Sequence, residues 1–229
     1  MVRKKIPCRV CGSLDTYAAS GLDICPDCMG GVNSKGEEHA FRVLSYFARD
    51  WPVIADVRKT LEAYPSLATR RDELTLTTLL HEFAGHNEKR WVDVPDILRL
   101  LIIGGADVNA RNENGSTPLM VLIDALPRID DQYLTEESQD EWRTITHAMG
   151  KATALLNRGA DPNLPTLDRR YPITELAKRG YPWIIRDLFD HGADLTVKSR
   201  GQTALEWAEE YENHKAAEWI RACLEWERG

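Results

Sequence analysis

Apolar residues fall at helical spacing in a series of short runs along this chain. Phe41, Leu44 and Ala48 share one helix face, and Val53, Ile54, Val57 and Leu61 share another. Ile97, Leu98 and Leu101 form a third run. Trp142, Ile145, Met149, Ala152 and Leu156 form a fourth, and Ile184, Ile185, Leu188 and Phe189 a fifth. Each of the last three runs ends on nearly the same five residues: Gly105-Ala106-Asp107-Val108-Asn109, Gly159-Ala160-Asp161-Pro162-Asn163 and Gly192-Ala193-Asp194-Leu195-Thr196. Glycine at that place predicts a helix stop in left-handed backbone. A second phrase follows at a near-constant offset: Ser116-Thr117-Pro118-Leu119, Arg170-Tyr171-Pro172-Ile173 and Gln202-Thr203-Ala204-Leu205. Thr before Pro predicts a helix start. The hydroxyl caps a free backbone N–H, and proline gives up a donor that had no partner. The last two glycine phrases are 33 residues apart and the first two 54, one period with an insertion. A fixed period of this kind marks a repeat array.

Helix end, short finger and helix start, at a period of 33, resemble the ankyrin repeat. The resemblance covers roughly residues 38–228 and is weaker before residue 90. It implies a mainly α solenoid of about five repeats, each a turn plus two antiparallel helices, with degenerate caps. On this reading residues 37–229 form the repeat domain, with 21 residues inserted at about 127–147. The insertion carries Asp130, Asp131, Glu136, Glu137, Asp140 and Glu141 against Arg128 and Arg143. Ser138 with Glu141 predicts a capping box, so an acidic loop should lead into a lengthened second helix. The loop is either a tolerated surface excursion or a projection that touches a partner.

Residues 38–66 read as a first repeat that has lost the Gly-Ala-Asp phrase. Asp50 before Trp51-Pro52 is expected to start its second helix, Pro65 to end it, and Ser66 to stand where Gly105 stands later. About six extra residues near 87–92 should lengthen the turn in the next repeat. That repeat holds His81-Glu82-Phe83-Ala84-Gly85-His86, one residue longer than a zinc-protease pattern. At i+5 the second histidine is rotated about 140° from the first, so the two do not share a face. Thr78-Leu79-Leu80-His81 matches the Thr-Pro-Leu-His phrase of ankyrin repeats instead. The resemblance implies a structural His81 that bonds the neighbouring finger's backbone, with His86 at the inter-helix turn.

Four of the five cysteines lie in residues 1–36, as Cys8-x2-Cys11 and Cys25-x2-Cys28. Two such knuckles complete a tetrahedron of thiolates, the closed geometry of structural Zn²⁺. Thr16 to Ala18 and Leu22 to Ile24 flank a turn and read as a small hairpin. The segment resembles a zinc ribbon. A rubredoxin-like iron site and two disulfides are the alternatives. The metal is expected to supply the folding energy of so short a module, and four thiolates leave no open position for catalysis. Gly30 to Gly36 has a linker's composition, and Cys223 reads as a core thiol.

The chain carries -7 overall, split as +2 over residues 1–35 and -9 over the rest. That balance argues against general nucleic-acid binding, although Arg3, Lys4, Lys5, Arg9 and Tyr17 leave a contact by residues 1–36 open. No apolar stretch approaches the ~18 residues of a membrane span. The basic start lacks the apolar core of a secretory signal, so a cytoplasmic location is expected. No nucleophile–base pair, carboxylate pair or phosphate-cradling loop is legible, and no small-molecule substrate or enzyme activity is expected.

The resemblance implies a protein–protein interaction role. An inhibitor or immunity-type binder of a macromolecular target is one form of it. An adaptor whose ribbon contacts nucleic acid while the repeats recruit a protein is the alternative. Exposed departures from the repeat consensus are the candidate partner contacts. They are Arg111, Asn112, Glu113 and Asn114 in one finger, Arg169 and Arg170 in the next, Glu175, Lys178 and Arg179 on a first helix, and Arg200. Tyr181 and Trp183 join them as aromatics expected to be exposed, away from the fingers. Trp219 and Trp226 are expected to pack beneath the end cap. Metal analysis of purified full-length protein should find stoichiometric zinc in a colourless sample, lost on Cys8→Ser. A red, iron-bearing protein or a metal-free one would refute the zinc site.

Overall fold

The computed structural model describes residues 37–50, 54–86, 94–129 and 139–228. The four-cysteine segment, the expected lengthened turn at 87–92 and the acidic centre of the insertion lie outside these residues. Among the described residues ten α-helices run in order: α1 (Glu37–Asp50), α2 (Ile54–Ala63), α3 (Leu79–Ala84), α4 (Val94–Ile103), α5 (Pro118–Ala125), α6 (Gln139–Leu156), α7 (Pro172–Arg179), α8 (Pro182–Asp190), α9 (Ala204–Glu210) and α10 (His214–Arg228). Strand-like pairing among the described residues is confined to isolated bridges, Arg71 with Thr78 and Ser199 with Gln202.

The helices stack in two rows. The odd-numbered helices pack in series, α1 on α3, α3 on α5, α5 on α7 and α7 on α9. The even-numbered helices do the same from α2 to α10. Five helical pairs therefore form an α solenoid, as the repeat count implied. One continuous apolar core runs between the rows, from Phe41 and Leu44 through Leu98, Leu122 and Ile185 to Ile220.

The recurring phrase explains the stacking residue by residue. Gly105, Gly159 and Gly192 have φ of 97, 88 and 85°. The following alanine N–H reaches five residues back, from Ala106 to Leu101 (3.0 Å), Ala160 to Leu155 (3.1 Å) and Ala193 to Leu188 (3.0 Å). This is the Schellman closure of a helix end. The aspartate turns the chain, because Asp107, Asp161 and Asp194 accept the N–H two residues on at 2.8–3.0 Å. The asparagine joins one repeat to the next. Asn109 donates to the Gly159 carbonyl (2.9 Å) and accepts the Asp161 N–H (2.8 Å). Asn163 does the same with Gly192 and Asp194, both at 2.8 Å. The last copy ends in Thr196, which bonds only within its own turn.

Helix starts follow the expected chemistry with one variation. Thr117 accepts the Met120 N–H at 3.2 Å and Thr203 the Glu206 N–H at 3.3 Å. Tyr171 has no capping hydroxyl in reach, and the Thr174 side chain accepts the Tyr171 N–H at 3.3 Å instead. The first repeat differs more. Asp50 is the last residue of α1, the described part of α2 opens at Ile54, and the expected helix start at Trp51-Pro52 lies outside the described residues. Ser66 sits in a 3₁₀ turn, Pro65–Ala68, rather than in the left-handed stop of Gly105.

Two devices tie the insertion to the stack. On α6, the Lys151 ammonium is buried and donates to the carbonyls of Ala84 (3.1 Å) and His86 at the end of α3. Burial pulls its pKa down to about 8. The carbonyls at this helix C-terminus favour the charged form. Ahead of α6, residues 126–129 lie as a strap across the turns of the next two pairs. Arg179 donates to the Leu126 carbonyl (2.7 Å), Tyr181 to that of Pro127 (3.0 Å), and the Ile129 N–H to Arg179 (2.9 Å). Arg128 donates to the Tyr211 carbonyl at 2.6 Å and lies over its ring.

Gly180 sits under this strap at φ 77°, and a Cβ there would meet the Ile129 carbonyl at 2.6 Å. Gly159 is equally left-handed, but its Cβ would meet nothing within 4 Å. Gly159→Ala should therefore cost about 1 kcal/mol of stability, the backbone penalty alone. Gly180→Ala should cost at least about 2 kcal/mol, because strap contact adds to that penalty. Urea denaturation of both variants is the check, and equal losses would argue against the strap.

Candidate functional site: the finger edge

Between the helical pairs the chain projects four fingers, at residues 70–77, 110–116, 164–170 and 197–202. Their tips share one backbone device. Leu76, Gly115, Arg169 and Gly201 each stand two residues before the helix-start residue, and all four are left-handed, with φ of 55, 70, 59 and 88°. Only glycine takes that conformation without penalty, so Leu76 and Arg169 hold strained positions. Arg200 is left-handed too, at φ 53°.

The first three tips are bonded in series. The Glu113 N–H donates to the Thr75 carbonyl (2.9 Å), and the Leu167 N–H to that of Asn114 (3.0 Å). Leu167 lies against Gly115, where a Cβ would approach its side chain to 2.9 Å. Asn112 shapes its own turn, accepting the N–H groups of Asn114 and Ser116 at 3.0 and 2.9 Å. Asp72 does likewise with Leu74 and Thr75, which hold its carboxyl below the usual range. The 70–77 finger has one residue more between that turn former and its helix start than the 110–116 finger has.

His81 anchors these two fingers to each other. Its Nδ1 accepts the Thr78 N–H at 3.2 Å, with the Thr78 hydroxyl 2.8 Å away. Nε2 therefore carries the proton and donates to the Ser116 carbonyl at 3.0 Å. The family-implied role of this residue is what the structure holds. His86 follows α3 at the turn and is also buried.

The expected contact residues divide sharply. Arg111, Glu113, Asn114, Arg169 and Arg200 line the finger edge, and the last four are exposed. Arg169 and Arg200 make no ion pair within the described residues. Arg170 is engaged instead, with Asp124 at 2.7 Å and Asp168 at 3.1 Å. Arg179 serves the strap and also faces Asp124 at 3.6 Å. Glu175 is buried and pairs with Lys178 at 2.7 Å, while the Lys178 ammonium lies 4.0 Å above the Trp207 ring.

Tyr181 was expected to be exposed and is fully buried beneath the strap. Its burial pushes the phenol pKa well up. Trp183 is half-buried and packs against Trp142 of α6, ring centres 5.1 Å apart and planes tilted by 59°. Both corrections have one cause. The insertion returns over the side of the stack where a regular repeat leaves these positions bare. Trp226 departs the other way, at 80% exposed rather than packed beneath the end. Sequence reasoning also missed Leu74 and Leu167 on the finger tips, 86% and 71% exposed. A leucine at a turn tip, where polar residues prevail, was the available signal.

Among the described residues no group of three or more His, Cys, Asp or Glu is placed to hold a metal. No helix described is long and apolar enough to cross a membrane. The family profile for the ankyrin repeat matches residues 76–113, one unit from the tip of the first finger through α3 and α4 to the next finger. No curated protein matches the chain.

Desolvation holds the His81 pKa below its ordinary 6.5. The unfolded chain then binds the extra proton more readily. The stabilisation is complete above about pH 6.5 and is lost as pH falls toward the folded-state value. His81→Gln should lower stability by about 1–3 kcal/mol at pH 7.5. It should also flatten the loss on acidification between pH 7.5 and 5.5. Chemical denaturation at the two pH values measures this, and an unchanged pH slope would contradict the buried, neutral imidazole.

Proposed function

We propose that this chain is a non-enzymatic protein–protein interaction module of the ankyrin-repeat kind, gripping a partner through its finger edge. The observation that carries this is the pair of strained, exposed arginines, Arg169 and Arg200, on adjacent fingers with no ion-pair partner among the described residues. Strained side chains persist where surrounding structure holds them, and they gather at binding surfaces more than at idle ones. The ankyrin repeat at residues 76–113 supports the class of role, since such repeats generally mediate protein–protein contacts. Inhibition of a macromolecular target is one form that the role takes in this reading. The four cysteines Cys8, Cys11, Cys25 and Cys28 are proposed to hold structural Zn²⁺ in a separate small module. In the alternative adaptor reading, that module touches nucleic acid through Arg3, Lys4 and Lys5.

Affinity capture from the native host with mass spectrometry tests the reading. Proteins retained by the wild-type chain should be lost with Arg169→Glu/Arg200→Glu. They should be kept with Arg186→Glu, which alters an exposed residue of α8 on the opposite side of the stack. Partners that survive the finger reversal, or that fall away only when residues 1–36 are removed, would contradict a finger-edge grip.

A further inference from the structure

The four fingers together carry seven Lys/Arg against four Asp/Glu, on a chain whose net charge is -7. The excess survives when groups engaged within the fold are set aside, Arg170 with Asp124 and Asp168 and Arg71 with Asp107 among the cations. Two of the four carboxylates are internally engaged: Asp72 by the backbone of its own turn, and Asp168 by Thr166 and Arg170. Glu73 and Glu113 remain on the outside. Facing them, every finger sets one arginine near its tip: Arg71, Arg111, Arg169 and Arg200. Arg71 reaches across to the Arg111 carbonyl at 3.3 Å, so the row continues from finger to finger.

Apolar side chains stand in the same line. Leu74, Leu76 and Leu167 are exposed by 86, 42 and 71%. The hydrogen bonds from Glu113 to Thr75 and from Leu167 to Asn114 set the first three tips side by side. No Trp, Tyr or Phe lies on the fingers to stack a nucleobase. Arginines and leucines sharing one edge favour a polypeptide that offers both carboxylates and apolar side chains.

We propose that the finger edge is a docking strip for an acidic, extended peptide segment bearing apolar side chains. The proposal rests on the finger-edge reading above and adds the chemistry of the partner. A net charge of -7 taken alone would favour a basic target instead. The basic strip lies where contact is made, and the acidic excess lies elsewhere on the surface.

A library of random short peptides panned against the full-length chain tests it. Selected peptides should be rich in Asp and Glu around Leu, Ile or Phe. Their affinity should fall as salt is raised, and by about tenfold or more in Arg169→Glu/Arg200→Glu. Leu167→Asp should weaken them as well, and Arg186→Glu should leave them unchanged. Circular dichroism of each variant confirms that these exposed substitutions leave the fold intact. Selection of basic or neutral peptides that are still lost on Leu167→Asp would overturn the acidic class and leave binding at the finger edge standing. Acidic peptides indifferent to every finger variant would overturn both, as would no selection at all. Equal binding of a single-stranded oligonucleotide, equally lost in the arginine variant, would make the ligand a nucleic acid and overturn the peptide.

Discussion

Two asparagines hold the regular part of this stack in register. Asn109 and Asn163 each bridge to the next repeat, donating to its left-handed glycine carbonyl and accepting the N–H of its aspartate. Both groups belong to a helix end, where the backbone would otherwise lack partners. One side chain therefore satisfies two backbone groups and fixes the spacing of adjacent pairs. In a repeat array each unit touches only its neighbours, so order at the junctions sets the shape of the finger edge. The third copy of the phrase carries Thr196 instead, whose hydroxyl bonds to Asp194 within its own turn.

A second constraint acts on the opposite side. The strap at 126–129 crosses the turns of the last two pairs and engages Arg179, Tyr181 and Tyr211. Buried Lys151 draws α6 onto the end of α3. The insertion and the helix it leads into thus touch neighbours on both sides of their own repeat. The last three pairs gain a brace that a stack of uniform repeats lacks.

How much of this the sequence discloses depends on the reach of each interaction. Helix stops at Gly105, Gly159 and Gly192, and starts at Thr117 and Thr203, are local chemistry and could be read directly. His81 was legible through the family phrase, because its partner finger recurs at a fixed offset. Tyr181 and Arg179 were misjudged, because their partners lie about fifty residues upstream and are backbone carbonyls, which leave no mark on residue type. Arg170 looked available for the same reason, since its position was predictable but its capture by Asp124 was not. Left-handed Arg169 and Arg200 were beyond reach, since neither is a residue type that signals positive φ.

The bridging asparagine is the point at which the account is most exposed. Asn163→Thr copies the residue found in the closing phrase and removes both bonds to the next repeat. Native-state hydrogen exchange on this variant should show the Asp194 amide losing its protection, with stability reduced by about 1–3 kcal/mol. An Asp194 amide as protected as before, with an unchanged unfolding midpoint, would show that the repeats are held in register by something else.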